Sequence, residues 1–161
     1  MITLIANLYG MHIAYLEATE YFFAAAAQVT SDNLDNRHPD GWSARQVIHH
    51  MADSEAQSYV RLRRLLAEPA GSVIQGYDEA AWAECGALGY QVLPTEQSLA
   101  VIKAVRASSH LILQQLTAGD LARYGTHTES GRYTLADWVD IYTRHPHEHG
   151  DQLLRALQGQ E

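Results

Sequence analysis

The stretch "TLADWVDIYTRHPHEHGDQLLRAL", residues 134–157, repeats apolar side chains at the spacing of a helix that buries one face. The inward stripe consists of Leu135, Trp138, Val139, Tyr142, Leu153 and Ala156. Thr134, followed three residues later by Asp137, is typical of a capping box at a helix start. We therefore predict that a helix begins at this cap and ends near residue 157, before Gly159.

Three earlier segments have the same spacing, and none alternates convincingly between apolar and polar residues as a strand would. They predict helices over about 4–28, 43–68 and 95–116. Ser43 with Gln46 forms a second capping box, and Thr95 after Pro94 is placed to cap the third helix. The sequence thus predicts an all-α protein, a four-helix bundle in one domain over residues 1–161.

The link between the second and third predicted helices, residues 69–94, is long for a bundle connection. Such a crossover lets those two helices run parallel, which gives an up, down, down, up order. Within the link, "YDEAAWAE" at 77–84 has the composition of a short extra helix.

Charge and sequence pattern exclude several classes of binding partner and indicate a cellular location. A net charge of −8 over 161 residues provides no basic surface for nucleic acid or an anionic membrane. The apolar N-terminal segment lacks the charged start and cleavage site of a signal peptide, and Glu17 and Glu20 interrupt it before it could span a membrane. Cys85 is the single cysteine, so no internal disulfide forms. We expect a cytoplasmic protein.

Three histidines near the C-terminus suggest a metal site. On a helix His145 and His149 share the inward face, whereas His147 points to the opposite side. Spacing alone favours the alternative, two histidines that are hydrogen-bonded to carbonyls or water at a helix end. A third ligand would favour a metal, and His50 lies at a similar level if its helix runs antiparallel. His38, His110 and His127 are expected in loops or on the surface.

A polar line along the second predicted helix points to a cavity. His50, Ser54, Gln57 and Arg61 recur at offsets of four, seven and eleven on an otherwise apolar helix. The alternative is a solvated face. Three histidines with one open position are typical of catalytic zinc, although nickel, iron or manganese also bind imidazole. Asp53 is a candidate general base or partner of a ligand, unless it is an ordinary surface acid.

Three segments, in this order, resemble the DinB superfamily, and its YfiT-like branch most closely: "GWSARQVIHHMADSEAQSYVRLRRLLAE", "YDEAAWAE" and "HTESGRYTLADWVDIYTRHPHEH". The resemblance implies an up, down, down, up bundle, a divalent metal such as zinc or nickel, and a homodimer. It also places the family's histidine ligands on His50, His145 and His149. The chain departs from the branch in two places: Gly150, Asp151 and Gln152 stand where further histidines often follow, and Pro146 should kink the helix.

The resemblance also implies what the site does. The first hypothesis is a thiol S-transferase in which a low-molecular-weight thiol such as bacillithiol attacks a small electrophile. A hydrolase that activates water at the same histidines is the second, and a stress-associated, metal-binding dimer without turnover is the third. The candidate pocket residues are Ser54, Gln57, Arg61, Tyr77, Trp82 and Tyr142.

Overall fold

The computed structural model describes residues 2–160, with side chains from Gly10 onward; Met1 and Glu161, which the predicted domain includes, lie outside the described residues. Within this range the helices are α1 (Ile2–Ala26), α2 (Ala44–Ala67), α3 (Glu79–Glu84), α4 (Glu96–Leu113) and α5 (Leu135–Leu157). Four of them are long, as predicted. The short helix α3 lies in the crossover, where the sequence predicts it.

Both predicted capping boxes are confirmed. The Ser43 side chain accepts from the Gln46 amide, and the Ser43 amide donates to Gln46 Oε1 at 3.0 Å. Thr134 and Asp137 make the same reciprocal pair at the start of α5. These bonds satisfy backbone amides that a helix start leaves without partners.

The predicted third helix, now α4, begins after Thr95 as predicted, but it lacks the capping hydrogen bond and ends earlier. Thr95 precedes it, but its side chain makes no capping hydrogen bond because its backbone is already helical, with φ −90° and ψ −9°; a capping side chain needs an extended backbone. The helix ends at Leu113 rather than 116. Beyond it the amides of Gln115 and Leu116 bond three residues back, and Thr117 donates to Asp120 in the next turn.

A three-stranded sheet shows that the all-α prediction is only approximate. Its strands are β1 (Val73–Ile74), β2 (Tyr124–His127) and β3 (Gly131–Thr134), with β1 parallel to β2 and β2 antiparallel to β3. The strands are short, and β2 buries Gly125 and His127 rather than large apolar residues. A Cβ on Gly125 would lie 2.5 Å from Ile74, so this close pairing requires glycine. The placement of His127 on the surface is therefore wrong.

Side-chain contacts give the direction of each long helix. His50 lies beside His149 and Arg61 beside Tyr142, so α2 and α5 are antiparallel. Contacts of Arg63 with Ser108 and of His49 with Ser98 make α2 and α4 parallel. Tyr15 stacks on Trp138 and Tyr21 bonds to Asp151, so α1 and α5 are parallel. The four helices follow an up, down, down, up order.

One arginine joins all four long helices. Arg106 on α4 is buried; it donates to Glu55 on α2 at 2.7 Å, to the Tyr15 carbonyl on α1 at 2.9 Å, and to the Tyr142 carbonyl on α5 at 3.1 Å. Apolar residues pack around this network in two clusters, one near Trp138 and one near Ile48. Among the described residues, no helix is both long and apolar enough to cross a membrane.

Candidate metal centre

The structure brings together the three histidines that the sequence selects. One ligand atom each from His50, His145 and His149 lies within 4.8 Å of the others, so these residues could hold a metal ion. His50 Nε2 and His149 Nε2 are 3.2 Å apart. Two imidazole nitrogens on one tetrahedral ion, with bonds of about 2.0–2.1 Å, are separated by about 3.3 Å. The spacing of this pair matches that geometry.

All three imidazoles are held neutral. Burial and the neighbouring His149 lower the pKa of His50 to about 3. Burial, then the charges of His149 and His50, lowers the pKa of His145 well below its usual value, and burial lowers that of His149. A metal ligand must offer a lone pair, which a protonated imidazole lacks. At neutral pH the cluster therefore presents ligands that need not first release protons.

Hydrogen bonds within the described protein satisfy only some of the nitrogen atoms of these three rings. His149 Nδ1 lies 2.7 Å from Gln152 Oε1 and donates to it, which leaves the Nε2 lone pair facing His50. In contrast, the buried Nδ1 atoms of His50 and His145 have no hydrogen-bond partner among the described residues. No carbonyl of the described residues lies within hydrogen-bond distance of His145 Nδ1. Three convergent neutral imidazoles fit a divalent cation.

Pro146, between the two histidines of α5, has a specific compensation. Proline has no amide hydrogen, so the carbonyl four residues earlier loses its helical donor. That carbonyl belongs to Tyr142, and it accepts instead from Arg106. The helix continues through Pro146 as far as Leu157. Arg106 thereby supplies the hydrogen bond that Pro146 removes from the part of α5 that carries His145 and His149.

Two cavities meet at the histidines. One, of about 390 Å³, is lined by His50, His149 and Gln152 among others. The other, of about 540 Å³, is lined by His145 together with Ser54, Arg61, Tyr77 and Tyr142, four of the six predicted pocket residues. Trp82 packs against Tyr77, with ring centroids 4.6 Å apart, and Gln57 is half-buried; neither lines these cavities.

Glu79 is a site residue that sequence reasoning missed. Its carboxylate Oε2 lies 3.7 Å from His50 Nε2, and the residue lines both cavities. It begins α3, directly after Asp78, whose side chain caps that helix. Asp53, the carboxylate that the sequence suggests, instead accepts from the Tyr90 hydroxyl at 2.6 Å. The position of Glu79 depends on how the crossover folds back, which no spacing along the chain reveals.

Comparisons with known proteins agree with this architecture. The family model of the DinB superfamily matches residues 14–153. A protein of Oceanobacillus iheyensis named a putative metal-dependent hydrolase is 37% identical over 122 residues, which cover 75% of this chain and 69% of that protein. A Bacillus mycoides protein of the same description is 34% identical over 109 residues, 68% of this chain. The aligned region spans 61% of the Bacillus protein's length.

A solved structure shares the whole fold. YfiT from Bacillus subtilis, described as a probable metal-dependent hydrolase with an unusual four-helix bundle topology, superposes with a TM-score of 0.81 at 28% sequence identity. The match covers 96% of this chain and 89% of YfiT. With a family match across most of its length and relatives at 34% and 37% identity, the chain belongs to the DinB superfamily.

Proposed function

We propose that the protein is a metal-dependent enzyme in which His50, His145 and His149 hold a divalent cation, zinc or nickel, beside a position open to a nucleophile. The observation that carries the proposal is the convergence of three neutral imidazoles, one buried and two half-buried, where two cavities meet. Bound there, such a cation would lower the pKa of a coordinated thiol or water molecule.

The reaction we favour is thiol S-transfer from a low-molecular-weight thiol to an electrophilic small molecule. Two cavities of comparable size flank the histidines, which suits a reaction with two organic substrates. Glu79 lines both cavities, and its carboxylate is placed to accept the proton that the nucleophile loses.

Hydrolysis is the second candidate, and two observations favour it. The Glu79 carboxylate lies within one water molecule's reach of the histidine cluster, as a general base for water must. In addition, the relatives from Oceanobacillus and Bacillus carry the name of metal-dependent hydrolases. The homodimer and the cytoplasmic location remain predictions, and a metal-binding dimer without turnover is the third possibility.

One assay series separates the three functions. Tag-free protein is loaded with zinc or nickel and incubated with bacillithiol and a generic electrophile such as monochlorobimane, then with a panel of activated esters and amides. Loss of thiol above the metal-free control supports the transferase. Ester or amide cleavage without thiol loss supports the hydrolase, and neither activity supports the non-catalytic dimer.

A Glu79→Gln variant tests the role of the carboxylate. Removing a general base lowers kcat by about a hundredfold or more. We expect this loss with metal content unchanged, and a shift in the pH–rate profile. Glu84→Gln, at the other end of α3, serves as the matched control. Unaltered kcat in Glu79→Gln would remove Glu79 from the mechanism.

A further inference from the structure

Arg61 is a half-buried cation without an acidic partner. Nη1 donates to the Tyr142 hydroxyl at 3.0 Å and Nη2 to the Gln75 carbonyl at 2.9 Å. The buried Nε has no partner among the described residues. A guanidinium carries five N–H donors, so these bonds leave three of them unused. The fully buried Arg106 differs because it is paired with Glu55.

Three acids line the cavity with Arg61, namely Asp78, Glu79 and Glu129, and none forms an ion pair with it. Within the described chain, no carboxylate oxygen lies within 4.0 Å of its guanidinium. Asp78 accepts from the Ala81 amide to cap α3, and the Glu129 carboxylate lies over Gly76. Burial, then the charge of Arg61, lowers the pKa of His127, which lines the same cavity, whereas Glu129 raises it. Removing a charge from water without a counter-charge is costly.

Tyr142 connects this cation to the histidine cluster. Its hydroxyl bonds Arg61, and its ring lies against His145, with centroids 6.2 Å apart. Arg61 and His145 line the same cavity of about 540 Å³, together with the hydroxyl-bearing residues Ser54 and Tyr77. An anion bound to Arg61 would therefore lie about the length of one tyrosine side chain from the histidines.

We propose that Arg61 is the anchor for a carboxylate, and that the site acts on short organic acids whose reactive group reaches the histidine cluster. This inference rests on the proposed function for the identity of the reacting centre. A planar guanidinium fork matches a carboxylate in two parallel hydrogen bonds, and such charge-assisted bonds are the strong ones. The carboxylate can belong either to the thiol or to the electrophile.

The anchor is tested first on metal-free protein, with propionate as the probe. An NMR titration at low ionic strength and without chloride compares wild type with Arg61→Met, Arg61→Lys and Arg64→Met. We expect Arg61→Met to weaken propionate binding about tenfold or more, since hydrogen bonds to charged groups are worth that much. Arg61→Lys should be intermediate because it keeps the charge but loses the fork. Arg64→Met, which changes a half-buried arginine of α2 that is paired with Glu68, should bind like wild type.

The second test asks which substrate carries the carboxylate. Cobalt-loaded protein is titrated with 3-mercaptopropionate and with 3-mercapto-1-propanol, its neutral counterpart, and visible absorption reports contact of sulfur with the metal. A preference for the acid that Arg61→Met abolishes assigns the carboxylate to the thiol. If the two thiols bind equally while propionate binding still depends on Arg61, the carboxylate is assigned to the electrophile.

The outcomes separate this inference from the proposed function. If wild type does not bind propionate, or if Arg61→Met binds it equally well in folded form, the anchor is overturned whatever the metal does. If propionate binding depends on Arg61 but no thiol reaches the cobalt, the anchor stands and thiol transfer fails.

Discussion

At the scale of single residues, the orientation of His149 depends on Gln152. The Gln152 side-chain oxygen accepts from His149 Nδ1 at 2.7 Å, one helical turn further along α5. This contact fixes which ring nitrogen keeps its lone pair, and such partners of a ligand contribute to metal affinity. Gln152 is also one of the three residues at which the chain departs from the YfiT-like pattern. In this chain Gln152 thus supplies the hydrogen-bond acceptor for His149.

The first prediction concerns this acceptor. Gln152→Leu should weaken zinc binding about tenfold, because the loss of such a partner typically costs 10–100-fold in metal affinity. Gln152→Glu, which keeps an acceptor at that place, should retain most of the affinity. Competition with a chromophoric chelator measures the dissociation constants, with Gln158→Leu at the C-terminal cap of α5 as control. Identical constants for Gln152→Leu and wild type would show that His149 needs no such partner.

At the scale of elements, α5 must stay helical to present its two histidines, although it contains a proline. It presents two histidines on one face, yet it contains Pro146 between them. The Arg106 guanidinium replaces the missing amide as donor to the Tyr142 carbonyl. Because the same guanidinium bonds Glu55 and the Tyr15 carbonyl, the ligand-bearing turn of α5 is tied to the other three long helices.

The second prediction tests this compensation through the free energy of unfolding of metal-free protein. Arg106→Met should lower it by about 3–5 kcal/mol, because Glu55 is left buried without its partner. Pro146→Ala is then compared in two backgrounds. Its effect on the free energy of unfolding should be about 1 kcal/mol more favourable in Arg106→Met than in wild type. The reason is that the Tyr142 carbonyl lacks a donor only when Arg106 is absent.

Urea denaturation of the four proteins in this cycle provides the measurement. Arg144→Met serves as the control. It removes an exposed arginine of α5, the helix that contains Pro146, and should leave the free energy of unfolding nearly unchanged. Equal gains from Pro146→Ala in both backgrounds would mean that Arg106 does not substitute for the missing amide.

Local sequence signals determined the long helices and α3 but not the strands between them. The capping boxes at Ser43 and Thr134 depend on residues three apart, so the sequence alone locates both helix starts. The sheet depends instead on pairing between distant segments, such as Val73 with Thr126, and on the small size of Gly125. Neither produces an apolar alternation, so the strands were not predicted.

At the scale of the whole molecule, the three histidines could be selected from the sequence because helix periodicity and the antiparallel run of α2 and α5 bring them to one level. The groups around them could not. Glu79 reaches His50 only because the crossover folds back over the cluster, and the role of Arg106 appears only when four helices are assembled. Contacts between distant segments leave no periodic trace in the chain.

The central claim, that the cluster of His50, His145 and His149 holds a divalent metal, is tested most directly by elemental analysis of protein purified without a histidine tag. Wild type should contain stoichiometric zinc or nickel, and His149→Ala should lose most of it. His147→Ala, which removes the exposed histidine between the two ligands of α5, should retain it. Absence of stoichiometric metal from wild type, or equal metal in His149→Ala and His147→Ala, would contradict the claim.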